Sequence, residues 1–205
     1  MKISPSLKNT YSTPGIWALD IVKDLPSTAT VYGIDIESRL FPAESEQPAN
    51  VVFQDGSILS LPDDWTSKFD LIHQRLLLYA LRAPEWIVAL QSMIRCVKPG
   101  GTIQLTEVVT PPNAEAGPYN RKWYSLLDKF CADRGILLHC AKVIPGMLKT
   151  VGFQNVACYE TGLVLGSKGG SAGMDARKSR IGAFRGMKTP ILNAGSLAST
   201  YCSTV

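Results

Sequence analysis

Asp35, Asp55 and His73 each close a short apolar run, and that placement is where chemistry is most readily done. Val31, Tyr32, Ile34 and Ile36 form the nearly continuous apolar stretch that a strand buried on both faces requires. Asp35 has no place in a core, but it suits a ligand at the strand's C-terminal edge, where open α/β sheets bind their ligands. A carboxylate there accepts hydrogen bonds from both hydroxyls of a ribose; alternatively, Asp35 is a surface acid ending an ordinary strand. Val51-Val52-Phe53 repeats the pattern and again finishes near an acid, in Gln54-Asp55-Gly56-Ser57. The plain alternative for Asp55 is an Asx-turn over Asp-Gly-Ser. Phe69-Asp70-Leu71-Ile72-His73 reads as a third strand, with His73 either a polar strand end or a general base.

The elements that must position these residues alternate between strand and helix. Thr13-Pro14-Gly15 predicts a helix start, with Thr13 as N-cap and Pro14 as the first helical residue. Ile16, Trp17, Leu19, Val22 and Leu25 give it an apolar face until Pro26 stops it. Glu37 to Pro42 reads as a turn or single helical turn, and Leu61 to Trp65 as a loop with one helical turn. A helix follows from Pro84 to about Val97, with Ile87, Leu90, Met93, Ile94 and Val97 at helical spacing. Lys98-Pro99-Gly100-Gly101 breaks the chain before a strand over Thr102 to Val109. Helices are predicted over Tyr119 to Asp133 and Lys142 to Val151, a strand over Asn155 to Leu165, and a helix near Asp175 to Arg185. The pattern predicts an α/β fold: a doubly wound, mainly parallel sheet covered on both faces. The segment Lys2 to Ser12 offers only Ile3, Leu7 and Tyr11 around Pro5, so a first, central strand there is expected to be weak or missing.

A chain of 205 residues with 45% apolar content can bury one ordinary core. The five cysteines show no Cys-x-x-Cys pair, which predicts reduced thiols in a cytoplasmic protein and no metal site. Met1 to Ser12 lacks the apolar stretch of a secretory signal, and no window has the apolar length of a membrane span. Residues 166–205 carry six Lys and Arg against Asp175 alone. With Phe184 and Tyr201 their only aromatics, they read as a glycine-rich, partly helical, solvated tail rather than a nucleic-acid surface.

Taken in order, Gly15-Ile16-Trp17-Ala18-Leu19-Asp20, Gly33-Ile34-Asp35, Phe53-Gln54-Asp55 and Phe69-Asp70-Leu71-Ile72-His73, followed by Lys98-Pro99-Gly100-Gly101, resemble the class I S-adenosylmethionine-dependent methyltransferases. Arg39-Leu40-Phe41-Pro42 and the continuation Gln74-Arg75 are most similar to the fungal small-molecule methyltransferases of secondary metabolism. The resemblance covers Pro14 to Val109 well and Pro118 to Leu165 more loosely, and it implies a methyltransferase-like domain over residues 1–165. It implies S-adenosylmethionine as cofactor and a small-molecule methyl acceptor bearing a thiol, an amide or amine nitrogen, or a hydroxyl. By this resemblance Asp35 holds the ribose hydroxyls and Asp55 accepts from the adenine amino group, with Gly56 and Ser57 offering backbone N–H groups. Gly15 supplies the last glycine of the cofactor loop. His73 and Gln74 leave their strand at the methionine end of the cofactor or the substrate mouth, His73 being the candidate base.

The resemblance is broken at one place. Where the family has an acid followed by a glycine-rich loop, this chain reads Asn9-Thr10-Tyr11-Ser12-Thr13-Pro14-Gly15. Thr13 stands where a glycine lets backbone approach the cofactor, and Pro14 removes an N–H that could face an anion at the helix start. Two functions of different class follow: methyl transfer, or a non-catalytic methyltransferase-like binding module. A nicotinamide dehydrogenase would need Gly-x-Gly-x-x-Gly after the first strand, which Thr13-Pro14-Gly15 does not supply.

Overall fold

The computed structural model describes residues 15–109 and 117–193. The expected weak strand near Lys8 to Tyr11, with Thr13 and Pro14, lies outside the described residues. Two compact units are present: one from residues 15–58 and 160–185, the other from 59–109, 117–159 and 186–193. The class is α/β with parallel strands, as the alternating pattern predicts, and the described strands form two ladders of two.

In the first unit, helix α1 (Ile16–Ile21) starts two residues later than Pro14, the expected first helical residue. Gly15 is its N-cap, with φ +89°, a left-handed conformation that a helical first turn cannot include. The helix tightens into a 3₁₀ turn over Val22–Asp24, and Leu25, preceding Pro26, is extended, as a residue before proline prefers. Strand β1 (Val31–Asp35) pairs in parallel with β2 (Val51–Asp55), in register from Val31 opposite Val51 to Asp35 opposite Asp55. Because side chains alternate, Val31, Gly33 and Asp35 share a face with Val51, Phe53 and Asp55. Its core gathers Val31 and Val51 with Ala18 and Val22, edged by Ile21, Leu25 and Phe53. The other face is not covered to the same degree: Val52 is 40% exposed. Position 33 requires glycine, because a Cβ there would stand 2.5 Å from Cε1 of the Phe53 ring.

In the second unit, β3 (Phe69–Arg75) runs parallel to β4 (Val97–Thr106). The expected break at Lys98-Pro99-Gly100-Gly101 lies inside β4 rather than before it. Phe69 pairs with Val97 and Leu71 with Thr102, so four residues bulge out opposite Asp70 alone. Gly100 takes φ +79° there, and Lys98 Nζ donates to both Asp70 carboxylate oxygens at 2.9 Å. Helix α2 (Ala83–Cys96) has Pro84 in its first turn, and the Glu85 carboxylate accepts the Arg82 N–H at 2.6 Å. Its apolar stripe, Trp86, Ala89, Leu90, Met93 and Cys96, is fully buried. Helix α3 (Pro118–Asp133) buries Tyr124, Leu127, Phe130 and Cys131, and α4 (Cys140–Thr150) buries Cys140, Ile144 and Leu148. Burying each large side chain contributes about 1.5–3 kcal/mol, and this unit has many more of them than the first.

Two further expectations are corrected. Residues 155–165 are not a strand: their alternation favours an extended backbone, but among the described residues none of them pairs with another strand. The last helix, α5 (Gly170–Asn193), is twice as long as its apolar residues suggest and contains glycines that propensity disfavours. Gly173 is there for space, since a Cβ would stand 2.6 Å from the Gly166 carbonyl oxygen.

Candidate functional site

The structure brings three of the expected residues to one side of the first unit. Asp35 and Asp55 end adjacent parallel strands in register, on the face that α1 packs against. Gly15 meets the same face from the helix start: a Cβ on it would stand 2.6 Å from the Phe53 ring and 3.2 Å from Pro42 Cδ. Phe53, stacked on Phe41 at 5.1 Å, thus fills the floor between the two glycines 15 and 33 and leads to the two acids. Asp35 is half-buried, and its Oδ1 accepts the Glu37 N–H at 2.9 Å, which bends the chain away after the strand. Glu37, itself half-buried, in turn holds the exposed Arg39 in a two-pronged ion pair at 2.7 Å. Asp55 is exposed.

Gly56 departs from expectation. Its N–H does not stand open to a ligand but donates to the Asp35 carbonyl at 3.0 Å, carrying the parallel ladder one residue further. Glycine is needed there for room, because a Cβ would come within 2.5 Å of Ile34 Cδ1. Ser57 follows, half-buried, at the same strand end.

His73 and Gln74 lie in the second unit, and the pleat sends them to opposite faces of β3. His73 shares its face with Arg75, Thr102, Gln104 and Thr106. Its Nδ1 lies 3.0 Å from Gln104 Oε1, so Nδ1–H donates and Nε2 is the basic nitrogen in this arrangement. Burial holds the His73 imidazole below its ordinary value, opposed by the Gln104 hydrogen bond and assisted by the nearby Arg75 charge. The ring is therefore neutral at pH 7, the state a base must be in.

Gln74, 7% exposed, turns to the packed face and donates from Nε2 to Glu107 Oε1 at 2.7 Å. Glu107 follows β4 directly and also accepts the Leu77 N–H at 2.7 Å, so it secures the loop that leaves β3. Sequence reasoning missed Glu107, although the signal was there: an acid directly after the apolar residues of a strand, as at Asp35 and Asp55. Among the described residues no cluster of His, Cys, Asp and Glu could hold a metal ion, and no helix is long and apolar enough to cross a membrane.

Comparison with known proteins bears on the same stretch. Residues 12–101 match the family model of a methyltransferase domain. The N-methyltransferase verN of Clonostachys rogersoniana is 31% identical over 180 residues, which covers 87% of this chain and 62% of that protein. The N-methyltransferase sirN of Leptosphaeria maculans is 27% identical over 177 residues, 84% of this chain and 61% of that protein. A demethylmenaquinone methyltransferase of Staphylococcus aureus is 32% identical over 120 residues, 57% of this chain and 46% of its own length. The chain thus spans about three-fifths of the two fungal relatives. With acid-ended parallel strands meeting a glycine-started helix, the stretch that matches a methyltransferase domain lies in a chain that is similar to fungal N-methyltransferases along most of its own length.

Proposed function

We propose that this chain transfers a methyl group from S-adenosylmethionine to a nitrogen of a small metabolite. The observation that carries the reading is the in-register pair Asp35 and Asp55 at the C-terminal ends of parallel strands, with the left-handed Gly15 on the same face. That is the edge where an open α/β sheet receives a nucleoside. In this reading Asp35 accepts from the ribose hydroxyls and Asp55 from the adenine amino group. Gly15 and Ser57 border the cofactor with backbone, and Gly56 keeps the two strand ends together. The residues fit the group chemically: one half-buried and one exposed carboxylate suit a diol and an amine. Bound there, S-adenosylmethionine supplies a methyl group on a sulfonium, a carbon activated for in-line displacement. The protein's own contribution is alignment and exclusion of water.

A nitrogen acceptor is favoured over a thiol or hydroxyl because the fungal relatives are named N-methyltransferases. A nitrogen that arrives with a proton must lose it, and neutral His73 is the group proposed to take it at Nε2. Gln74 contributes through its main chain, since its side chain is held by Glu107. The test is titration calorimetry of the chain with S-adenosylmethionine and with its demethylated product, followed by product mass spectrometry on a panel of small amides, amines, thiols and phenols. Binding of both nucleosides and mass gain on nitrogen compounds is the expected result. Absence of heat with either nucleoside would replace the reading with a non-catalytic binding module.

A further inference from the structure

The packed end of β3 and β4 holds two buried hydrogen-bond acceptors without a donor among the described residues. Gln74 Nε2 and the Leu77 N–H both donate to Glu107 Oε1, each at 2.7 Å, and the Leu78 N–H also bears on this carboxyl. The remaining oxygens, Glu107 Oε2 and Gln74 Oε1, are buried and have no donor among the described residues. An ionised carboxylate would leave a charged acceptor beside a neutral one, both out of water, which is an unfavourable pairing. A carboxylic acid facing a primary amide makes two bonds instead, N–H to one oxygen and O–H to the other.

We propose that Glu107 is held protonated and donates its Oε2–H to Gln74 Oε1, forming a neutral acid–amide pair that positions the loop leaving β3. The step is uptake of one proton from solvent, and no other bond changes. That loop needs an anchor: Leu76, a bulky residue, sits at φ +60°, where L-residues are strained. Its N–H donates to the Thr106 carbonyl at 3.0 Å, and the next N–H goes to Glu107. Glu107 is thus a positioning residue for the loop that begins three residues after His73.

The surroundings agree. Burial pushes the Glu107 carboxyl up, against the hydrogen bonds from Gln74, Leu77 and Leu78. The titratable group facing it from α4 is Cys140, pushed up to about 12 chiefly by burial. Around Tyr79, pushed up to about 12, stand Cys140 and, from α3, Tyr124 and Cys131, the latter pushed up to about 11. Those thiols and the Tyr79 phenol carry no positive charge that could hold a carboxylate. Arg75 and His73 share the opposite face of β3.

The sign of the linkage follows. A carboxyl raised in the folded protein contributes stability that is present below its unfolded value and lost as pH rises through the raised one. The experiment measures the melting temperature of the full chain against pH for wild type, Glu107→Gln and Glu107→Ala. Infrared difference spectra of wild type and Glu107→Gln are taken alongside. The glutamine amide can donate where the acid's O–H did, so Glu107→Gln is expected to melt like wild type near pH 5 and to lose part of the fall at higher pH. Glu107→Ala is expected to melt lower by roughly 4–8 °C near pH 5. The wild-type spectrum should carry a protonated-carboxyl stretch that the glutamine variant lacks. Glu107→Gln melting well below wild type near pH 5, or no protonated-carboxyl band there, overturns the proposal. Should Glu107→Ala fail to fold, the glutamine variant and the spectrum still decide it. None of these readings depends on methyl transfer, so the result is separable from the proposed activity.

Discussion

The two ladders end in acids and treat them in opposite ways. In the first unit Asp35 and Asp55 stand at the strand ends half-buried and exposed, and the Asp35 side chain accepts a local bond from the Glu37 N–H. In the second unit Glu107 is enclosed and occupied by its own protein: an amide and the backbone of a strained loop. An acid left at a solvent-facing strand end is available to a ligand, whereas one wrapped by its own loop maintains geometry. The cores differ in the same sense. Beneath the first pair of acids lie Ala18, Val22, Val31 and Val51, while the second unit is built on Trp86, Leu90 and Met93, none with any exposed surface. The proposed binding edge lies in the lightly packed unit and the proposed acid–amide anchor in the heavily packed one.

The largest way to break this comparison is Trp86→Ala. Removing a fully buried indole costs about 3–5 kcal/mol in transfer and cavity terms, which is a large fraction of a typical domain's stability. Denaturant melting should show that loss. In the wild-type chain, hydrogen exchange should show Val31–Asp35 amides opening faster than those of Phe69–Arg75 and of 102–106, which share one ladder. Equal protection in both ladders would mean that the first unit is better supported than its described core implies.

Next in size is Asp35→Ala. Loss of hydrogen bonds to a charged group should weaken S-adenosylmethionine binding by about 1.5–3 kcal/mol, or roughly 10- to 150-fold. The melting temperature should hardly move, because the side chain is only half-buried and its bond to the Glu37 N–H is local. Calorimetry with unchanged affinity would remove Asp35 from the site, while a collapse in stability would make it a structural acid like Glu107.

Much of this arrangement was readable from residue types. Val31 to Asp35, Val51 to Asp55 and Phe69 onward are apolar runs too short for helices, and each reads as a strand because few alternatives exist for such a run. The bulge at Lys98–Gly101 was not readable as part of a strand, because Pro99 and two glycines signal a turn in any local reading; only the pairing of Val97 with Phe69 reveals the strand on both sides. Residues 155–165 failed for the converse reason, since alternation describes one chain and a ladder needs two. Gly15, Asp35 and Asp55 were legible as helix-start and strand-end residues because their signal is local. The opposed directions of His73 and Gln74 follow from strand alternation, but which face is packed depends on elements far along the sequence. Glu107 carried the same acid-after-strand signal as Asp35, and its different fate is set by Gln74 and Leu77, some thirty residues earlier.

The smallest expected effect sharpens the comparison on the second unit's open face. His73 is held below its ordinary value chiefly by burial, with Gln104 opposing and Arg75 adding to the shift. Between that lowered value and the unfolded one near 6.5, the unfolded chain binds more protons than the folded one. Stability therefore falls as pH drops through this window, opposite in sign to the contribution of Glu107. His73→Gln keeps a hydrogen-bonding partner for Gln104 but does not titrate, so its melting temperature should lose part of the acid-side fall while matching wild type near pH 8. The activity consequence is separate: if Nε2 takes the acceptor's proton, methyl transfer by the variant should drop at all pH values for amide acceptors and less for acceptors that arrive unprotonated. A variant whose acid limb of stability is unchanged would show that His73 is protonated at no cost in the fold. Its neutral state at pH 7 would then owe nothing to the burial and the Gln104 contact that distinguish this face from the Glu107 side.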